Sequence, residues 1–330
     1  MKTIRLGASG PAVSQFGIGA MSFAGIYGNA TPEDSHAVLH ACRDAGVTHI
    51  DTSNVYGAGR SEEIIGSWFK DTPGARDDMV LATKAGITGQ PERRFNNDPA
   101  YLTQCLDESL QRLGVDHVDL FYVHRLDTAH SPEDVAGTLK SLIDAGKTRA
   151  VGFSEIAPHT LRRAATECPI AAVQSEYSLS TRAPELGLIQ TCAEMDVTLV
   201  AFSPVGRAFL TDAPFSYAHG QSMAFTKDNP RFVEPNYSAN IAATDRFRAL
   251  AAEMGAPAAA VAIAWLVSRG DHVLPIPGTK NTAHLAELLQ GMEMTLSADD
   301  LARIDAVLPV GWAAGDRYTS TQWEGPERYC

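Results

Sequence analysis

Short, almost wholly apolar runs alternate with amphipathic stretches about eight times along this chain, and that rhythm admits few folds. The runs are Phe16 to Gly19, Thr48 to Asp51, Met79 to Thr83, Val118 to Val123, Ala150 to Phe153, Ala171 to Gln174, Thr198 to Phe202 and Val273 to Ile276. A strand that is apolar at nearly every position must be covered on both faces, as in a parallel sheet wrapped by helices. The helix-period stretches between them include Glu33 to Ala45, Ser61 to Phe69, Pro99 to Leu113, Pro132 to Ala145, Pro158 to Glu167, Leu186 to Met195 and Thr282 to Leu289. Thr31-Pro32-Glu33 and Ser131-Pro132-Glu133 each place a capping hydroxyl, then proline, then an acid, which is a helix start. Eight such units predict a closed (β/α)8 barrel, the TIM-barrel architecture, over residues 1–330 as a single domain.

Three segments stand outside the rhythm. Thr3 to Leu6 and Ala12 to Ser14, joined through Gly7-Ala8-Ser9-Gly10, read as an N-terminal β-hairpin. From Thr211 to Asn240 no period is visible, so a long loop is expected after strand seven, at the mouth of the barrel. Two further helical patterns, Ile241 to Met254 and Pro257 to Ser268, precede strand eight. The tail from Val310 onward has aromatic anchors without periodicity and is expected to drape over the surface. Gly17-x-Gly19 nearly matches a dinucleotide fingerprint, but Ser22 holds the third glycine position and no helix starts there, so the match reads as coincidence.

Composition narrows the function classes. A formal net charge of −12 argues against a nucleic-acid surface and against docking on anionic membranes. No run of about 18 apolar residues is present to span a bilayer. The five cysteines are scattered, with no C-x-x-C pair, which suits free thiols in a reducing cytoplasm. His36 and His40 stand at i, i+4, a spacing that can bind metal, but the helix pattern around them favours a solvated face; no metal site is expected.

The strand ends carry the chemistry, because a barrel of this type builds its active site there. Asp51 ends strand two, with Tyr56 five residues on; Lys84 ends strand three; His124 ends strand four. A carbonyl that accepts a hydride develops an alkoxide and needs a proton donor within hydrogen-bond reach. A phenol is a weak acid at neutral pH, and an ammonium beside it favours the phenolate. Asp51 would keep Lys84 charged and in place, while His124 would orient the carbonyl oxygen.

The segments GIGAMSF, HIDTSNVYGAGRSEEIIG, LATK, DLFYVHR, VGFSE, FSPVGR and PIPGTK, in that order, resemble the aldo-keto reductases from the hairpin to about Leu289. The resemblance implies an NADP-dependent oxidoreductase that interconverts an aldehyde or ketone and an alcohol, with Asp51, Tyr56, Lys84 and His124 catalytic and Tyr56 as the general acid or base. It implies NADP(H) extended across the barrel mouth over Gly19, Met21 and Asp51. Ser154 and Gln174 would hold the carboxamide, with Glu155 beside them, and Phe202 would face the nicotinamide. Ser203, Val205, Gly206 and Arg207 would cross the pyrophosphate. Ile276, Gly278, Thr279 and Lys280, with His284, Glu287 and Leu288, would surround the adenosine end and its 2′-phosphate. Three positions depart from the family's pattern: Glu155 stands for Asn, His284 for Arg or Gln, and Leu288 for Asn.

A small carbonyl substrate is expected in a pocket lined by Met21, Phe23, Tyr27, Tyr56, His124 and Arg125, with aromatics such as Phe225 and Phe232 from the long loop. Arg125 or Glu155 would set a polar preference. A metal-dependent hydrolase would want an H-x-H pair, which is missing; a retaining glycosidase could use Glu155 and Glu176 but would leave Tyr56, Lys84 and His124 without a task. A rival from another class is a cofactor-binding regulatory protein like the potassium-channel β subunits, with little turnover; no extended N-terminal segment speaks for it.

Overall fold

A computed structural model describes residues 1–89 and 94–329. Strands β1 (Thr3–Arg5) and β2 (Ala12–Ser14) form the antiparallel hairpin. The barrel strands are β3 (Gly17–Gly19), β4 (His49–Asp51), β5 (Val80–Ala85), β6 (Val118–Val123), β7 (Thr148–Ser154), β8 (Ala172–Glu176), β9 (Thr198–Phe202) and β10 (Val273–Ile276). Each pairs in parallel with its successor, so sequence order is spatial order. At the seam between β3 and β10, the Gly19 N–H donates to the Pro277 carbonyl at 2.9 Å. This seam accounts for Gly17-x-Gly19. A Cβ on Gly17 would meet the His49 ring at 2.7 Å, and one on Gly19 would meet the Ile276 carbonyl oxygen at 2.8 Å. The two glycines let the barrel close.

Around the strands run α1 (Pro32–Asp44), α2 (Arg60–Asp71), α3 (Ala75–Asp78), α4 (Pro99–Leu113), α5 (Pro132–Asp144), α6 (Pro158–Ala164), α7 (Leu188–Glu194) and α8 (Tyr217–Ser222). The set continues with α9 (Asn236–Glu253), α10 (Ala258–Val267), α11 (Thr282–Gln290) and α12 (Ala298–Val307). The capping signals act as the sequence predicts: Thr31 forms a capping box with Asp34, and Ser131 accepts the Asp134 N–H. One apolar cluster fills the space between helices and strands; a second, with Ala82, Leu120, Tyr122, Ala172, Val200 and Leu274, fills the barrel itself. Leu6 and Val13 belong to the inner cluster, so the hairpin plugs the N-terminal end and the opposite end is left for chemistry.

Several expectations are corrected. The segment Thr211 to Asn240 is not one loop: it holds α8, a 3-10 turn at Pro230–Phe232 and the first turn of α9, all short elements whose period is too brief to see in sequence. Helix α12 has a capping box, Ser297 with Asp300, that the sequence reading passed over. The tail does not merely drape. Arg317 and Tyr318 are buried, and the Glu327 carboxylate accepts the Ala157 N–H at 2.6 Å and the Thr160 hydroxyl at 3.0 Å, capping α6. His40 is exposed as expected, whereas His36 is half-buried, its Nε2 3.0 Å from both the Ile64 carbonyl and the Ser67 hydroxyl of α2. Among the described residues, no helix alone is long and apolar enough to cross a membrane, and no group of three metal-ligating side chains converges.

Candidate active site at the barrel mouth

Neighbouring strand ends bring Asp51, Tyr56, Lys84 and His124 together. Lys84, fully buried at the end of β5, forms an ion pair with Asp51 at the end of β4. Its Nζ also donates to the Thr52 carbonyl at 2.7 Å and lies 3.5 Å from the Tyr56 hydroxyl. The second Asp51 oxygen accepts from Gln174 Nε2 at 2.8 Å, so both carboxylate oxygens are engaged. Burial alone would pull the Lys84 pKa down; the charges of Asp51 and Tyr56, with their hydrogen bonds, outweigh it and hold the ammonium above its usual range. The result is a fixed cation held against the Tyr56 phenol at the mouth.

His124 meets Tyr56 edge to face, with ring centroids 5.9 Å apart. Its Nδ1 lies 3.0 Å from the Ser53 hydroxyl, which leaves Nε2 as the ring nitrogen available to the cavity. Burial first, then the charges of Arg125 and Lys84, hold the His124 pKa well below the ordinary histidine range. The imidazole is therefore neutral at pH 7. The sequence reading missed Ser53, although a hydroxyl two residues past the strand-ending acid was the available signal.

This neutrality has a stability consequence. An unfolded histidine titrates near 6.5, and a histidine held down in the fold binds fewer protons than the unfolded chain as pH falls below that value. Its contribution is thus present above about pH 6.5 and lost on acidification. His49, buried and also held down, adds to the slope. The urea midpoint is expected to fall between about pH 7 and pH 5, and His124→Gln to make the fall shallower. An identical slope in that variant would show that the His124 pKa does not differ between the folded and the unfolded chain.

A cavity of about 530 Å3 opens over this group. Its wall runs from Gly19, Met21 and Tyr27 past Asp51, Tyr56, His124, Arg125, Ser154 and Gln174. It continues along Phe202, Ser203, Val205 and Arg207 to Ile276, Gly278, Thr279 and Lys280, and ends at His284, Glu287 and Leu288. The loop after β9 curls tightly: Ser203, Gly206, Arg207 and Ala208 all have positive φ, three of them without being glycine. Backbone held in that region clusters at ligand clamps, and successive turned amides make anion-binding concavities. Lys280 bridges the seam, its Nζ donating to the Asn29 carbonyl at 2.5 Å from just before the N-terminus of α11.

Not every sequence candidate reaches this wall. Phe23 is fully buried in the core between strands and helices, because the 3-10 turn Ala20–Ala24 points it inward. Phe232 packs on Phe209 at 4.6 Å between centroids, whereas Phe225 does line the cavity. Gly206 shapes the loop without lining the cavity. Glu155, expected beside the carboxamide, turns away: at φ +60 it accepts the Ser175 hydroxyl at 3.0 Å and the Glu176 N–H at 2.9 Å, and it pairs with Arg317 of the tail. Burial pushes its carboxyl up, but Arg317 and Arg125 outweigh this and hold it below the usual range. Glu176 pairs with Arg207 at 2.7 Å. With both glutamates bound to arginines, neither has the freedom of a glycosidase acid. Tyr318, which follows Arg317, joins the cavity wall. Its aromatic, aperiodic surroundings were the available hint.

The model of the aldo/keto reductase family matches residues 15–309. The chain is 38% identical over 315 residues to "Aldo-keto reductase yakc [NADP(+)]" of Schizosaccharomyces pombe, covering 93% of this chain and 92% of that one. It is 36% identical over 321 residues to "Probable aldo-keto reductase 1" of Glycine max, covering 96% and 92%. Among solved structures, the glycerol dehydrogenase of Gluconobacter oxydans superposes with a TM-score of 0.80 at 26% identity, covering 93% of this chain and 94% of that one. A thermostable aldo-keto reductase in complex with the inhibitor epalrestat gives 0.72 at 27% identity, covering 93% and 100%. A barrel with Asp51, Lys84, Tyr56 and His124 at its mouth, matched along nearly all its length by these relatives, belongs to the aldo/keto reductase family.

Proposed function

We propose that this protein is an NADP-dependent oxidoreductase that interconverts an aldehyde or ketone and the corresponding alcohol, with Tyr56 as the general acid or base. One observation carries the reading: a buried Asp51–Lys84 pair ends on the Tyr56 hydroxyl, beside neutral His124, in the floor of the cavity. When bound, NADP(H) supplies or accepts the hydride at its nicotinamide ring. In the reducing direction Tyr56 donates its proton to the carbonyl oxygen as the carbonyl carbon is reduced, and Lys84 stabilises the phenolate left behind. His124 Nε2 orients the same oxygen. Reprotonation of Tyr56 from water completes the cycle.

The cavity wall fits the cofactor. Ser154 and Gln174 present hydroxyl and amide groups to a carboxamide, Phe202 an aromatic face, and the Ser203 to Arg207 loop its turned amides to a pyrophosphate. Thr279 and Lys280, before the start of α11, suit a 2′-phosphate; His284, Glu287 and Leu288 lie on that helix. The name of the fission-yeast relative, which carries NADP(+), supports the choice.

Fluorescence titration with NADPH and with NADH tests this. NADPH is expected to bind at least about tenfold more tightly, and Lys280→Met to narrow the gap, since one charge-assisted contact contributes on the order of 1.5–3 kcal/mol. Equal binding would move the assignment to NAD(H). Binding of NADPH with no turnover across a panel of aldehydes and ketones would favour the regulatory reading.

A further inference from the structure

We infer that the site selects carbonyl compounds that also carry a carboxylate, and that Arg125 is the residue that recognises it; this rests on the function proposed above. Arg125 directly follows His124, and its side chain folds back so that Nη1 donates to the His124 carbonyl at 2.6 Å and to the Ser154 hydroxyl at 3.1 Å. Both bonds use one nitrogen and both acceptors are neutral. The Nε and Nη2 edge has no protein partner among the described residues, and no carboxylate pairs with the guanidinium.

Other cations in and behind the wall are already answered, and Lys280, just before α11, has its Nζ on the Asn29 carbonyl. Lys84 is held by Asp51, Arg207 by Glu176 and Arg317 by Glu155. Glu155, the acid whose titration Arg125 influences, is thus committed to the tail. Of the three acidic residues that line the cavity, Asp51 is paired, Asp212 accepts the Ala258 N–H at the start of α10, and Glu287 stands on α11 and forms no ion pair with Arg125 among the described residues. A half-buried guanidinium with a free two-nitrogen edge, next to the residue that would orient the carbonyl, matches the planar geometry of a carboxylate. Tyr27, Phe215 and Phe225, the last two with ring centroids 6.4 and 5.9 Å from that of Tyr27, provide an aromatic wall for the body of such a substrate.

The test compares 4-carboxybenzaldehyde with its neutral methyl ester, methyl 4-formylbenzoate, with NADPH as reductant. The ester withdraws more electron density from the carbonyl and is the intrinsically better hydride acceptor, so a preference for the carboxylate must come from binding. Wild-type protein is expected to favour the carboxylate at least about tenfold in kcat/KM, the range of one charge-assisted contact. In Arg125→Gln that ratio is expected to fall to about one or below, whatever the variant's overall rate, and in Arg125→Lys to lie between, since a point charge replaces the fork. A wild-type preference for the ester, or a ratio that Arg125→Gln leaves untouched, would overturn the inference while leaving carbonyl reduction intact. Turnover of neither aldehyde nor any other carbonyl would instead bring down the proposed function and this inference with it.

Discussion

Replacing Tyr56 by phenylalanine is expected to lower kcat for carbonyl reduction by about two orders of magnitude or more, with NADPH still bound near wild-type strength. The change removes one oxygen and keeps the ring, so the edge-to-face packing on His124 survives. What is lost is the ionisable proton that buried Lys84 can influence from behind the wall: Lys84 lies 3.5 Å from that oxygen and does not itself line the cavity. General acid catalysis contributes roughly 10²–10⁴-fold in rate, which sets the size of the effect. Cofactor affinity should hold because the wall from Ser154 to Lys280 is untouched. Stopped-flow or steady-state rates with titrated NADPH decide the matter. Turnover within about threefold of wild type would remove Tyr56 as the acid, and a parallel collapse of cofactor binding would assign it a binding role instead.

Arg317→Met is expected to destabilise the fold by about 3–5 kcal/mol, the cost of leaving a buried charge without its partner. Arg317 and Glu155 have side chains 8% and 1% exposed, and the Arg317 guanidinium also lies against the rings of Tyr318 and Trp323, its carbon 4.7 and 4.6 Å from their centroids. Glu155 cannot turn to water, because Ser175 and the Glu176 amide hold it where it is. Glu155→Gln removes the charge that needs an answer, so the double variant is expected to recover part of the loss. Urea denaturation monitored by tryptophan fluorescence gives the comparison. A loss below about 1 kcal/mol would mean that the tail only covers the mouth.

Arg317 also shows where reading by sequence alone reaches its end. The eight strands, the hairpin and the helix starts were legible because each is a local pattern: apolar runs of strand length, period-3.6 stripes, hydroxyl–proline–acid caps. Asp51, Lys84 and His124 were legible for the same reason, each being the first ionisable group after a buried run, and barrel topology sets consecutive strand ends side by side. Glu155 was read as a carboxylate facing a carboxamide, since the local pattern places it next to Ser154. Its true partner lies 162 residues away, and no periodicity relates the two.

The chain's local order by itself determined the barrel, its direction and which end would carry ionisable groups. Tertiary structure alone decided that Glu155 leaves the cavity and Tyr318 enters it, that Phe23 faces the core, that Gln174 holds Asp51, and that Arg125 keeps an unanswered edge. The physical reason is common to these cases. A buried charge or polar group takes whichever partner the closed fold brings within hydrogen-bond distance, and that distance is measured in space, not along the chain.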